Sequence, residues 1–291
     1  MKYDMAVLGA QGFLGENLIH GLRPKYSILG TTRAGKDGAT LAATSSDEEI
    51  HLIYDQLKPG ALVINAIGKL TNSIDELNSD NVSDAMLVNG KFPPRLSRIA
   101  FDRGLRFIHI STDAIFSNTV GDVDEKSLTS PQGVYGKSKL LGEVSNSNAV
   151  TIRCSFVGPS AGLNKSGLWS WIENLNQGEI ISGFKNHLWS GVTTNQLIYL
   201  CDLLADNRIF QEVATVSSIH HFCPNPAITK YELVSLIAAQ IRPDVIILPI
   251  NHNIAITRNL LSKFNSLNKL FVNHKVIWKS LIREAALGYK N

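Results

Sequence analysis

The chain has 291 residues, 44% of them hydrophobic, at a mean hydropathy of +0.02, which allows a sizeable core in one large domain with a smaller lobe. Lys and Arg total 28 against 25 Asp and Glu, and no basic run stands out, which excludes the footprint of a nucleic-acid binder. No stretch approaches the roughly 20 apolar residues of a membrane span, and Met1 to Gly9 alternates into a glycine turn instead of forming a secretory leader, so the expected location is the cytosol.

Five short apolar runs read as buried strands: Met5 to Gly9, Ser27 to Thr32, Ala61 to Ala66, Leu105 to Ser111 and Val150 to Ser155. Between them lie candidate helices at Phe13 to Leu22, Glu48 to Leu57, Val82 to Arg103 in one or two pieces, and Val134 to Ser145. Strand and helix in alternation imply an α/β fold, a Rossmann-type doubly wound parallel sheet over residues 1–160. Beyond it the pattern loosens, with helices expected at Asn195 to Ala205, Lys230 to Ile241 and Lys275 to Leu287. Residues 161–291 are therefore read as mainly a smaller C-terminal substrate-binding lobe, partly interleaved with the sheet. Thr229 and Glu232 have the spacing of a capping box, a device of helix initiation. Cys154, Cys201 and Cys223 are odd in number and set among apolar neighbours, which suits reduced core residues.

Gly9, Gly12 and Gly15 stand where the first strand ends and the first helix begins. Glycines there permit a tight turn and let the backbone approach a pyrophosphate, while the helix N-terminus offers unpaired N–H groups to the phosphates. An NAD-binding site places a carboxylate about 20 residues further on, but the second strand ends in Thr31, Thr32 and Arg33. A guanidinium suits the 2′-phosphate of NADP, so the expected cofactor is NADPH, with NADH possible. A solvated arginine beside Asp37 is the other reading of Arg33.

Tyr135 and Lys139 share a helix face at i,i+4 spacing. An ammonium near a phenol stabilises its anion, and the expectation is that Lys139 lowers the pKa of Tyr135 toward proton transfer to a carbonyl oxygen. Thr112, at the carboxyl end of its strand, would present a hydroxyl to the same oxygen.

The glycine turn, Asn65 to Gly68, Ser111 to Phe116, and Tyr135 to Glu143 together resemble the extended short-chain dehydrogenases, and within them the dTDP-4-dehydrorhamnose reductase group. Gly191 to Thr194 and Ile228 to Glu232 resemble segments of that group's C-terminal lobe. The resemblance implies NADPH-dependent reduction of a 4-keto-6-deoxy nucleotide sugar at C4, with Thr112, Tyr135 and Lys139 as catalytic triad. It also implies that Phe13, Leu14, Ala66 and Ile67 line the cofactor, that Lys139 and Tyr135 meet it, that Asp113 touches the sugar and that Phe156 lies near the nicotinamide; Thr112, Phe156, Trp189 and Thr194 are further candidates for the substrate. A homodimer is the family's usual arrangement. Two departures stand out: Ala114 and Ile115 replace a common Tyr-Val, and Gly35 to Ser46 lacks an aspartate-bearing strand pattern.

Two alternatives stay open. An epimerase or dehydratase with retained NAD shares the triad, although dehydratases follow the Thr with Asp-Glu, and Ala114 cannot move a proton. Some relatives are non-catalytic, NADP-binding regulatory subunits. Arg258 and Lys185 are candidates for a diphosphate, Trp169, Trp171 and Trp189 for a base or the core, and His220 and His221 read as structural. No metal set is apparent, Glu16 alone being too little.

Overall fold

The computed structural model describes residues 2–33, 39–118, 121–162, 165–271 and 277–288. From the N-terminus come β1 (Tyr3–Leu8), α1 (Phe13–Leu22), β2 (Ile28–Thr32), β3 (Ala39–Thr40), α2 (Asp47–Tyr54) and β4 (Leu57–Asn65). Next are α3 (Ser79–Ala85), α4 (Phe92–Asp102), β5 (Arg106–Ser111), β6 (Gly121–Val123), α5 (Gly133–Leu141), β7 (Ala149–Arg153) and β8 (Phe156–Val157). The remainder carries α6 (Gly167–Glu173), β9 (Ile180–Phe184), β10 (His187–Trp189), β11 (Val192–Thr193), α7 (Thr194–Ala205), α8 (Asn207–Val216) and β12 (Ile219–His221). It ends with β13 (Ile228–Thr229), α9 (Lys230–Ile241), β14 (Ile246–Ile250), β15 (Ile256–Leu260) and α10 (Trp278–Leu287).

Seven strands pair in parallel in the order β12-β7-β5-β4-β1-β2-β3. Side chains alternate across each strand, so Met5 and Val7 enter one core with Leu62, Ile64, Ile108 and Ile110, while Ala6 and Leu8 enter another with Val63 and Phe107. Helices α1, α7 and α8 cover the first face through Leu18, Leu200 and Phe210; α2 and α4 cover the second through Ile50, Ile53, Leu96 and Ile99. Each such side chain contributes about 1.5–3 kcal/mol by leaving water. Strand order reverses between β1 and β4, and at such a reversal the carboxyl ends of the strands open a crevice.

Chain from beyond residue 160 completes this sheet. β12 pairs with β7 through Ile219 and Thr151, His220 and Ile152, and His221 and Arg153, and α7 packs on α1. A separate apolar cluster of Trp169, Trp189, Leu233, Ile237, Trp278 and Ile282 forms around α6, α9 and α10.

Several expected bounds shift for identifiable reasons. The helix expected from Glu48 to Leu57 begins at Asp47, where Ser46 and Glu49 cap each other reciprocally, and ends at Tyr54, so that Leu57 opens β4. The span Val82 to Arg103 divides into α3, a wide π turn at Met86–Lys91, and α4, whose first turn holds Pro93 and Pro94, residues without an N–H to donate. The helix expected to reach Ser145 stops at Leu141, with Gly142 as its cap, a position so close to the Asn89 carbonyl that a Cβ there would lie 1.8 Å from it. The Thr229–Glu232 capping box forms as expected. Lys275 and Asp37 lie outside the described residues.

Candidate active site

The turn after β1 is held by its own backbone. Gly9 has φ +84, its N–H donates to Thr31 Oγ1 at 3.3 Å, and its carbonyl accepts from Gly12 N at 3.0 Å. A Cβ on Gly15 would lie 2.1 Å from that carbonyl oxygen, so only glycine lets α1 start this close to the turn. Gly12 caps α1 without any side-chain acceptor, which leaves the first N–H groups of the helix for an anion. Arg33 is exposed at the carboxyl end of β2, the strand beside this turn.

In front of the turn lies a cavity of about 510 Å³ lined by Gly12, Phe13, Leu14, Ala66, Ile67, Thr112, Tyr135, Lys139 and Phe156, among others. Phe13 and Phe156 face each other in parallel planes, centroids 6.1 Å apart. Ile67 N donates to Asn65 Oδ1 at 3.1 Å, and Asn65 Nδ2 donates to His109 Nδ1 at 3.1 Å, which anchors the β4 end to β5. Burial pushes His109 well below the usual imidazole range, so it stays neutral. Leu70, Asn72 and Ser73 from the loop after β4, and Trp169 from α6, also line the cavity.

Lys139 is buried, and its Nζ donates to the Ile110 carbonyl at 2.7 Å. Loss of water lowers its pKa to about 8, against which the Glu143 carboxylate pulls upward. Tyr135 departs from expectation: burial pushes its phenol up to about 12, while the Thr112 hydroxyl and Arg258 pull it down. The lysine is engaged by the strand carbonyl, and the phenol is held in its protonated form, the form a proton donor needs. Thr112 Oγ1 donates to Asp113 Oδ1 at 3.2 Å and accepts from Ala114 N at 3.2 Å. Asp113 is buried and pushed up by desolvation, with Arg258 and Lys230 pulling it back.

The remaining candidates are dispersed. Trp189 is buried against Trp278 with Lys230 Nζ 6.0 Å above its ring, and β10 pairs it with Arg258 of β15. Thr194 lies behind Gly158, a cavity-lining residue so near that a Cβ on it would sit 2.1 Å from Thr194 Oγ1. Lys185 and Trp171 are exposed, and His220 and His221 sit in β12. Glu16 Oε2 is buried with no hydrogen-bond partner among the described residues, and no three His, Cys, Asp or Glu side chains there gather into a metal site. No described helix is long and apolar enough to cross a membrane. Sequence reasoning gave no role to Asn65 and Lys230, which it quoted only within longer motifs, and missed His109 and Asn89, whose side chain ties Lys69 to Ser138 of α5. Single polar residues in apolar strands or helices carry no signal until the fold pairs them.

Comparison with known proteins agrees with this geometry. The chain is 32% identical over 148 residues to a dTDP-4-dehydrorhamnose reductase of Mycobacterium tuberculosis, covering 48% of this chain and 44% of that one. It spans about half the length of the curated reductases it matches. A methionine adenosyltransferase 2 subunit beta of Bos taurus is 23% identical over 266 residues, 84% of this chain and 73% of that one. The fold is that of a dTDP-4-dehydrorhamnose reductase from Bacillus anthracis solved in complex with NADP, with TM-score 0.74, 19% identity, and coverage of 99% of this chain and 100% of that one. The family model described as RmlD substrate binding domain matches residues 3–271, and the chain belongs to that family.

Proposed function

We propose that this protein is an NADPH-dependent reductase of a 4-keto-6-deoxy nucleotide sugar, delivering hydride to C4. The observation that carries it is the convergence of Thr112, Tyr135 and Lys139 on the cavity that the glycine turn, Ala66, Ile67 and Phe156 also line. The uncapped start of α1 fits a dinucleotide pyrophosphate, and Arg33 holds the 2′-phosphate. NADPH, when bound, supplies the hydride. Lys139 would hold the nicotinamide ribose, and Phe13 and Phe156, which line the same cavity, would border the cofactor. Tyr135, protonated at neutral pH, gives its proton to the carbonyl oxygen, and Thr112 steadies that oxygen through its hydroxyl. Asp113 meets the sugar. Arg258 and Lys230, the cations facing Asp113, balance the diphosphate on the side of the C-terminal lobe.

A non-catalytic regulatory role is the second reading, favoured by the 84% coverage against the methionine adenosyltransferase subunit. The presence of all three triad residues at one cavity favours the enzyme. The test is loss of NADPH absorbance with a panel of 4-keto-6-deoxy nucleotide sugars. Turnover is expected with at least one, falling at least about 100-fold in Tyr135→Phe with NADPH affinity nearly unchanged. Full turnover in Tyr135→Phe would refute the mechanism; tight NADPH binding without turnover of any sugar would favour the regulatory role.

A further inference from the structure

Glu143 lies four residues beyond Lys139, just past the end of α5, and its side chain is 5% exposed. Arg153 grips it with two bonds, Nε to Oε1 at 2.8 Å and Nη2 to Oε2 at 2.7 Å, and Ser111 Oγ donates to Oε1 at 2.7 Å. Arg153 Nη1 in turn lies 3.4 Å from His221 Nε2, and its guanidinium sits 5.5 Å from the centre of the Phe116 ring. One carboxylate thus joins the ends of β5, β7 and α5 and, through Arg153, β12. A buried ion pair adds little net stability, because stripping water from both charges offsets their attraction. Its position beside the site suggests a different use: Ser111 is the residue before Thr112, and Lys139 is the nearest cation on the same helix.

We propose that Glu143 is a positioning residue of the site, which through Ser111 and Arg153 holds the Thr112-bearing end of β5 against the end of α5, the helix that carries the buried Lys139. Its catalytic consequence rests on the reductase reading; its effect on Lys139 does not. The groups around Lys139 are Tyr135 on its own helix, Glu143 just past the end of that helix, Cys154 after β7, His109 on β5, and the Ile110 carbonyl. Burial holds Cys154, His109 and Tyr135 neutral at pH 7. Glu143 is therefore the one described group acting on Lys139 that carries negative charge, in a setting where Lys139 already titrates near pH 8.

The test is the titration of Lys139 itself, read from the ¹³Cε shift of lysine-labelled protein and assigned by its loss in Lys139→Met. Glu143→Gln keeps an oxygen for Ser111 and removes the charge; Glu143→Gln with Arg153→Met also avoids a stranded buried cation, should the single variant fail to fold. In Glu143→Gln the midpoint is expected to fall by on the order of one pH unit, and in the double variant, where a cation leaves with the carboxylate, by less but in the same direction. The alkaline limb of kcat/KM follows it, so activity near pH 8 is lost while activity near pH 6 is kept. A lower melting temperature with an unmoved midpoint would overturn the proposal and leave Glu143 a structural tie. A shifted midpoint in protein that reduces no nucleotide sugar would support Glu143 in this role and count against the reductase reading.

Discussion

Replacing Gly15 by alanine tests the glycine turn most sharply. The added Cβ would lie 2.1 Å from the Gly9 carbonyl oxygen, 2.8 Å from its carbon and 3.0 Å from Ala10 Cα, all backbone atoms that no rotamer change can clear. The closest contact must open by about 1 Å, an overpacking strain of about 1–3 kcal/mol. That motion also stretches the bond from Gly12 N to Gly9 O, at a further cost of about 1 kcal/mol, while alanine returns about 1 kcal/mol through helix propensity. The net loss is about 1–3 kcal/mol, a fall in melting temperature of about 5 °C in thermal unfolding followed by circular dichroism. Because the same backbone frames the proposed phosphate site, NADPH affinity measured by fluorescence titration is expected to fall about tenfold or more. Gly12→Ala is the internal comparison: its Cβ would stand 3.3 Å from the same oxygen, and its stability loss stays below about 1 kcal/mol. Identical melting temperatures for the two variants, with NADPH affinity intact in Gly15→Ala, would refute the reasoning.

Lys139 has two pH signatures of opposite sign. On the proposed mechanism its charged form, present below about pH 8, supports turnover, which is expected to decline as pH rises through that value. Its folded pKa lies below the ordinary 10.5, so between about 8 and 10.5 the unfolded chain binds more protons and the stability contribution of Lys139 rises with pH. The melting temperature of the protein should therefore rise relative to that of Lys139→Met across pH 7–10, and a constant difference would exclude the depressed pKa. Arg33→Ser should weaken NADPH about tenfold or more while leaving NADH binding nearly unchanged, since charge-assisted bonds to a 2′-phosphate are lost from one cofactor only. An unchanged preference would remove Arg33 from the cofactor site.

The first half of the molecule was legible because its cues are local. A short apolar run marks β1, glycine marks the turn, and α1 occupies the Phe13–Leu22 span its pattern predicts. The i,i+4 pair of Tyr135 and Lys139 was equally readable, since helix geometry alone places them on one face. What Lys139 does to Tyr135 was not: the strand carbonyl that engages its ammonium comes from β5, 29 residues away in sequence. Arg153 and Glu143 were invisible as a pair for the same reason. The C-terminal half hid more, because its short strands β9 to β15 hold two to five residues each, too few to show a period. There Lys185 was weighed for the diphosphate and is exposed, while Lys230, at the start of a helix whose cap was read correctly, faces Asp113.

The placement of β12 has a consequence for biogenesis. When the ribosome has finished β7, that strand is still an open edge, and α7 and α8 do not yet cover the apolar face formed by Val7, Ile64, Ile108 and Ile152. At ~5–20 residues per second, the stretch from Arg153 to His221 takes several seconds to emerge. Throughout that interval the nascent chain presents a strand edge and a greasy face together, the surface that trigger-type chaperones shield and that aggregation exploits. A fragment ending near residue 160 would carry the whole triad and the glycine turn, yet it would be frozen in that same sticky intermediate.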